Sequence, residues 1–215
     1  MSDMDFLDAI KATTREVGRQ NLPEGPARSV VLRRSFPSPA DDLWDALTSP
    51  ERLGRWFLPI AGDLRVGGLY QIEGNAGGRI LRCERPTELV VTWVFGADIA
   101  TTTGSEVHLT LSPEPDGGTE LMLRHVAVVD PALWDQYGPG ATGVGWDLSF
   151  LGLGLHLAGG GLDDAEGWEE SAEAQSFMVA SAESWGAAQL ADGATPEAVN
   201  TAVANTIAFY SPEED

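Results

Sequence analysis

The sequence predicts an α+β fold, in which a strongly curved antiparallel sheet grips one long helix and extra helices follow. Three observations predict it. The chain runs strand, two short helices, a series of further strands, then the long helix. That helix, Gly143 to Leu157 (GVGWDLSFLGLGLHL), carries two apolar stripes instead of one. At about 100° per residue, Val144, Leu148, Leu151 and Leu155 fall on one side, and Trp146, Phe150, Leu153 and Leu157 on the other. A surface helix needs a single stripe, so this one is sandwiched. Finally, the 55 residues after Gly160 have helical patterning of their own.

Taken in order, residues 3–19 read as a short amphipathic helix with Phe6, Ile10 and Val17 near one face. Asn21 to Ala27 (NLPEGPA) reads as a linker because of its two prolines. Ser29 to Phe36 is a first strand, broken by Pro37 and Pro39. Asp41 to Leu47 is a short helix with acidic residues in its first turn, where the helix dipole favours them. Pro50 to Phe57 is a second, ended by Pro59. Leu69 to Glu73 and Arg79 to Glu84 are strands joined by a turn over Asn75 to Gly78. In Leu89 to Phe95, Leu89, Val91, Trp93 and Phe95 alternate onto one face. Glu106 to Leu111 alternates likewise. Asp116-Gly117-Gly118 is a turn signal, and Thr119 to Val128 is the last strand, with Leu121, Leu123 and His125 on one face. Asp130 to Gly140 reads as a loop carrying Trp134 and Tyr137. Glycines inside the long helix cost roughly 1 kcal/mol each relative to alanine, which is tolerable where a packed element or a ligand must come close.

In the tail, Asp163 or Asp164 is positioned to cap a helix with Trp168, Ala172, Val179, Ala182 and Trp185 on one side. Thr195-Pro196 starts a final helix as N-cap and first residue, with Val199, Val203, Ile207 and Tyr210 on one face. These helices are expected to cover the outer stripe, Val144 to Leu155. The alternative is that the stripe forms a homodimer interface. The chain thus divides into an N-terminal helix and linker (1–27), a sheet-and-helix core (28–160) and an acidic helical extension (161–215).

Net charge is −20, unevenly spread. All 13 basic residues lie within 1–124, whereas residues 125–215 have 15 acidic residues and no lysine or arginine. Such a chain repels phosphate backbones and anionic lipid, which argues against nucleic acid and membrane insertion. The sequence has no apolar run of about 18 residues and no signal pattern, which reads as cytoplasmic. Cys83 is the only cysteine, so neither an internal disulfide nor a thiolate cluster can form. No metal-ligand spacing, phosphate loop or nucleophile elbow is present, so no metal or cofactor is expected.

Several stretches carry a family resemblance. Ser38 to Pro59, SPADDLWDALTSPERLGRWFLP, resembles the signature of the START-like (SRPBCC) superfamily, specifically the family named for the activator of the heat-shock protein 90 ATPase. Gly62 to Gly68 (GDLRVGG) is similar to its Asp-Leu-Arg turn, and Gly78 to Trp93 (GRILRCERPTELVVTW) to its hairpin. Gly118-Thr119 and Gly145-Trp146 match later landmarks. The resemblance spans about residues 28–160. It implies a helix-grip fold with a cavity for an apolar ligand. It also implies that Trp146, Phe150, Leu153 and Leu157 face the sheet.

Eight aromatic residues, Trp56, Phe57, Tyr70, Trp93, Trp134, Tyr137, Trp146 and Phe150, sit where they can converge between sheet and helix. They either line a pocket or fill the core. The candidate ligand-binding set is Trp56, Tyr70, Trp93, Trp146 and Phe150, with Arg82 and His125 as polar groups and Trp134 and Tyr137 as gate residues. Three functions follow: a binder of a lipid, sterol or polyketide-like molecule; a cyclase or hydrolase using His125 or Arg82; or a chaperone-linked interaction protein.

Overall fold

The computed structural model describes residues 6–96, 98–161, 167, 168 and 170–211 of the 215. Among these, the strands form one eight-stranded sheet, in spatial order β1-β2-β8-β7-β6-β5-β4-β3, with every pairing antiparallel. The strands are β1 (Thr14–Leu22), β2 (Gly25–Phe36), β3 (Ile60–Gly62), β4 (Leu69–Ile72), β5 (Gly77–Glu84), β6 (Glu88–Thr92), β7 (Ser105–Pro113) and β8 (Thr119–Ala127). The helices are α1 (Phe6–Lys11), α2 (Ala40–Thr48), α3 (Pro50–Trp56), α4 (Pro131–Tyr137), α5 (Gly140–Leu157), α6 (Ala172–Ala191) and α7 (Pro196–Tyr210).

The sheet's inner face meets α5. Val30, Leu32 and Phe36 of β2, Val107 and Leu111 of β7, and Leu121 and Leu123 of β8 pack against Trp146, Phe150 and Leu153. Helix α2 contributes Leu43, Trp44 and Ala46 to the same core, and Trp56 at the end of α3 packs on it.

The N-terminal reading needs correction. Helix α1 stops at Lys11, and β1 pairs with β2 along its whole length, from Thr14↔Arg33 to Leu22↔Gly25. The expected linker is therefore the end of β1, a tight turn and the start of β2. Gly25, at φ 142°, supplies backbone freedom at that turn. Val17 faces the core from a strand, not a helix. Residues 130–140 are likewise not all loop: Asp130 accepts from the Ala132 amide and Pro131 starts α4. Strand β6 ends at Thr92, which leaves Phe95 68% exposed instead of continuing the alternation.

The tail covers the outer stripe of α5. Val144 packs with Ala174, Met178 and Ala182 of α6, and with Val203, Ile207 and Tyr210 of α7. Leu151 and Leu155 pack with Phe177 of α6 and with Ala9 and Ile10 of α1. The stripe that suggested a dimer is therefore occupied by this chain's own helices. Ser171 caps α6 through the Ala174 amide, whereas Asp163 and Asp164, the caps expected from sequence, lie outside the described residues. Thr195 caps α7 with Pro196 as its first residue. Glu170, Glu173 and Glu183 face solvent; Glu166 and Glu169 lie outside the described residues.

A buried polar hub fastens these layers. Asp147, on the edge between the two stripes, accepts from Arg15 of β1 at 2.7 and 3.0 Å. It also accepts from Ser181 Oγ at 2.6 Å and Trp185 Nε1 at 2.9 Å, both on α6. The Arg15 and Asp147 side chains are 5% and 2% exposed, so the pair survives only because its lone pairs and protons are so fully used.

Candidate functional site

A straight helix and a curved sheet diverge, and here the space between them is not filled. A cavity of about 160 Å³ lies between α5, the inner sheet face and the α2–α3 pair. Tyr70, Ile80, Leu89, Val91, Trp93, Val107, Leu109, Leu121 and Leu123 form its sheet wall. Trp146, Ser149, Phe150 and Leu153 form its helix wall, and Leu47, Thr48, Leu53, Trp56 and Phe57 close one end. The exposed lining residues, Leu64 at 41% and Cys83, mark the mouth.

The wall is almost wholly apolar, and the polar tips of Thr48, Trp56, Tyr70, Trp146 and Ser149 already have protein partners. Tyr70 Oη donates to the Thr92 carbonyl at 2.7 Å, and burial raises its pKa. Trp56 Nε1 donates to the Ala46 carbonyl at 3.0 Å, Thr48 Oγ1 to the Trp44 carbonyl at 2.8 Å, and Ser149 Oγ to the Gly145 carbonyl at 2.9 Å. Trp93 and Trp146 stack at a tilt, with ring centroids 5.0 Å apart. Such a wall presents ring faces and methyl groups to an occupant, and these bonded groups have little polar capacity left for it.

Of the sequence-derived candidates, Trp56, Tyr70, Trp93, Trp146 and Phe150 line this cavity; Arg82, His125, Trp134 and Tyr137 do not. Arg82 points out because the β5–β6 register shifts between Ile80 and Arg82. The extra residue of a β-bulge moves everything after it to the opposite face, so Cys83 reaches the cavity while Arg82 pairs with Glu84 and Glu88 outside. His125 does share the inner face, but it sits behind Trp146. The Trp146 indole N–H donates to Nδ1 at 3.2 Å, which leaves the proton on Nε2 to donate to Ser105 Oγ at 2.9 Å. Burial lowers its pKa to about 4. A neutral ring with both nitrogens engaged has no lone pair for a substrate proton. Trp134 lies under the Arg28 guanidinium, 4.8 Å from Cζ to the ring centroid. The tail holds α4 in place, through Asn205 Nδ2 to the Gln136 carbonyl at 2.8 Å and Thr206 Oγ1 to the Tyr137 carbonyl at 3.3 Å. Neither Trp134 nor Tyr137 is placed as a gate.

Sequence reasoning missed Cys83 and Leu64 at the mouth. The bulge that turns Cys83 inward leaves no mark in the hydrophobic pattern, whereas Leu64, an apolar residue in a Gly/Arg turn, was a readable signal.

The model of the Activator of Hsp90 ATPase homolog 1-like protein family matches residues 37–157, more than half of the chain. This chain belongs to that family. It is similar to the crystal structure of CalU16 from Micromonospora echinospora, at 37% identity and a TM-score of 0.66, over 82% of this chain and 98% of that one. Protein MLL2253 from Mesorhizobium loti is 28% identical, covers 61% of this chain and 97% of its own, and has a TM-score of 0.50. DynU16, a protein of the dynemicin biosynthetic locus, is 21% identical over 60% of this chain and 47% of its own, with a TM-score of 0.51, which speaks to fold alone. No protein with a curated description matches. Among the described residues no helix is long and apolar enough to cross a membrane, and no acid, histidine and cysteine cluster could hold a metal ion.

Proposed function

We propose that this protein binds a small apolar molecule between its sheet and α5. The observation that carries the proposal is the cavity wall, apolar and aromatic, with the polar tips of Thr48, Trp56, Tyr70, Trp146 and Ser149 already bonded to protein. Its volume, about 160 Å³, narrows the ligand class. A closed apolar cavity of about 150 Å³ accommodates benzene. A full sterol nucleus is therefore too large to be enclosed. The cavity suits an aromatic ring or an alkyl chain, with the rest of a lipid or polyketide-like molecule leaving past Leu64 and Cys83. The enzymatic alternative loses its two candidate residues, since Arg82 lies outside and His125 is fully engaged. The chaperone-linked alternative is supported by the family name alone.

Cys83 provides the test. It is the only thiol and stands at the mouth. A bound N-phenyl-1-naphthylamine should slow its alkylation by iodoacetamide several-fold and raise the melting temperature by mass action. An unchanged alkylation rate and melting temperature across naphthylamine, medium-chain alcohols and polycyclic aromatics would count decisively against the proposal.

A further inference from the structure

A second cavity lies at the free end of the β1–β2 hairpin, beside α4. It measures about 380 Å³, and its walls include Arg19, Arg28, Pro26, Val129, Pro131 and Trp134. Arg19 and Arg28 are directly opposed in the β1–β2 register. Directly opposed residues of antiparallel strands project from the same face, and like charges in that position repel. Two residues along, the same face bears Val17 opposite Val30, and both pack into the core. The hairpin therefore exchanges an apolar pair for two cations where the second cavity opens.

The two cations are only partly neutralised, in a chain with 33 acidic residues. Among the described residues Arg28 forms no ion pair; its guanidinium rests on the Trp134 ring. Arg19 reaches Asp192 only at 3.7 Å, with its side chain 68% exposed. Asp130, between the lining residues Val129 and Pro131, accepts from the Ala132 amide and forms no ion pair with either arginine. Two arginines opposed in register, Arg28 resting on the Trp134 ring and Arg19 exposed, line this one cavity and supply the kind of donors an oxyanion takes. The cavity exceeds the size of a bare anion, and Pro26, Val129, Pro131 and Trp134 give it apolar walls. We infer that this cavity is a binding site for a small organic oxyanion, a carboxylate or phosphate on an apolar body, held by Arg19 and Arg28. The site is separate from the apolar cavity and does not depend on that reading.

The test uses the full chain with its apolar cavity first saturated by N-phenyl-1-naphthylamine. Titrations of 1-naphthoate, 1-naphthyl phosphate and neutral 1-naphthamide are followed by NMR on arginine Nε–H and tryptophan indole resonances. At least one anion should bind and shift the Arg28 and Trp134 signals, and the amide should not; which anion is tighter identifies the head group. Binding should weaken at least ten-fold in Arg28→Gln. Arg19→Glu, which converts the Arg19–Arg28 like-charge pair to an opposite one at a side chain 68% exposed, should abolish binding while the chain stays folded. That variant keeps the test decisive if Arg28→Gln folds poorly. Equal binding of amide and anions, no binding at all, or anion affinities within two-fold of wild type in Arg19→Glu would overturn the inference.

Discussion

The two sides of α5 are packed by different rules. Toward the sheet, Trp146, Phe150 and Leu153 meet a curved surface that diverges from them, and a void remains. Away from the sheet, Val144, Leu151 and Leu155 are buried against side chains of α1, α6 and α7. Gly143 marks the closest approach. A Cβ there would sit 2.2 Å from the Trp185 ring, which is itself fully buried. The difference teaches where a binding function can reside in this fold. The outer side is locked by interdigitation and the Asp147 hub, while the inner side can leave space because strength is supplied elsewhere.

The largest effect should come from the hub. Asp147→Ala leaves the Arg15 guanidinium buried without its partner, and should cost about 3–5 kcal/mol in chemical denaturation. A loss below about 1 kcal/mol would mean that the outer side is not locked this way.

The inner side responds to acid through His125. Its folded pKa, about 4, lies below the usual 6.5, so the unfolded chain binds its proton first as pH falls. This contribution is complete above about pH 6.5 and is lost progressively toward pH 4, amounting to about 3 kcal/mol. His125→Gln should flatten that part of the stability–pH curve; identical curves would contradict the assignment.

Gly143→Ala tests the fit on the outer side. Any gain in helix propensity is outweighed by overlap with Trp185, for a net cost of about 1–3 kcal/mol. Leu109→Phe tests the looseness of the inner side, because the added ring can enter existing space. It should change stability by less than about 1.5 kcal/mol while abolishing naphthylamine fluorescence enhancement. Comparable stability losses for the two variants would erase the contrast between the sides.

Much of this architecture was readable from periodicity. The double stripe of α5 anticipated both the sheet on one side and the tail on the other, and Thr195-Pro196 marked the start of α7. The features that were not readable have identifiable causes. Strand β1 offers little alternation because it is an edge strand with only Val17 packed on the main core, so its sequence resembles a helix followed by a linker. The outward turn of Arg82 follows from a bulge, which no period-two count contains. The engagement of His125 depends on Ser105 and Trp146, each about twenty residues away in sequence and adjacent only after folding. Aromatic type and a place in a Gly/Pro-rich stretch selected Trp134 and Tyr137, but the tail determines where they go.

The Asp147 hub also bears on the life of the chain at the ribosome. Its donors come from residue 15 and from residues 181 and 185, far to either side of the acceptor. Synthesis proceeds from the N-terminus, so Arg15 and Asp147 emerge well before the groups that complete their shell. Until Trp185 leaves the exit tunnel, the newborn sheet and helix have an under-solvated charge pair and a bare aliphatic ridge. Completion of this fold therefore waits until residues 181 and 185 have been read, and a nascent-chain arrest series should show protease resistance arising abruptly once they have emerged.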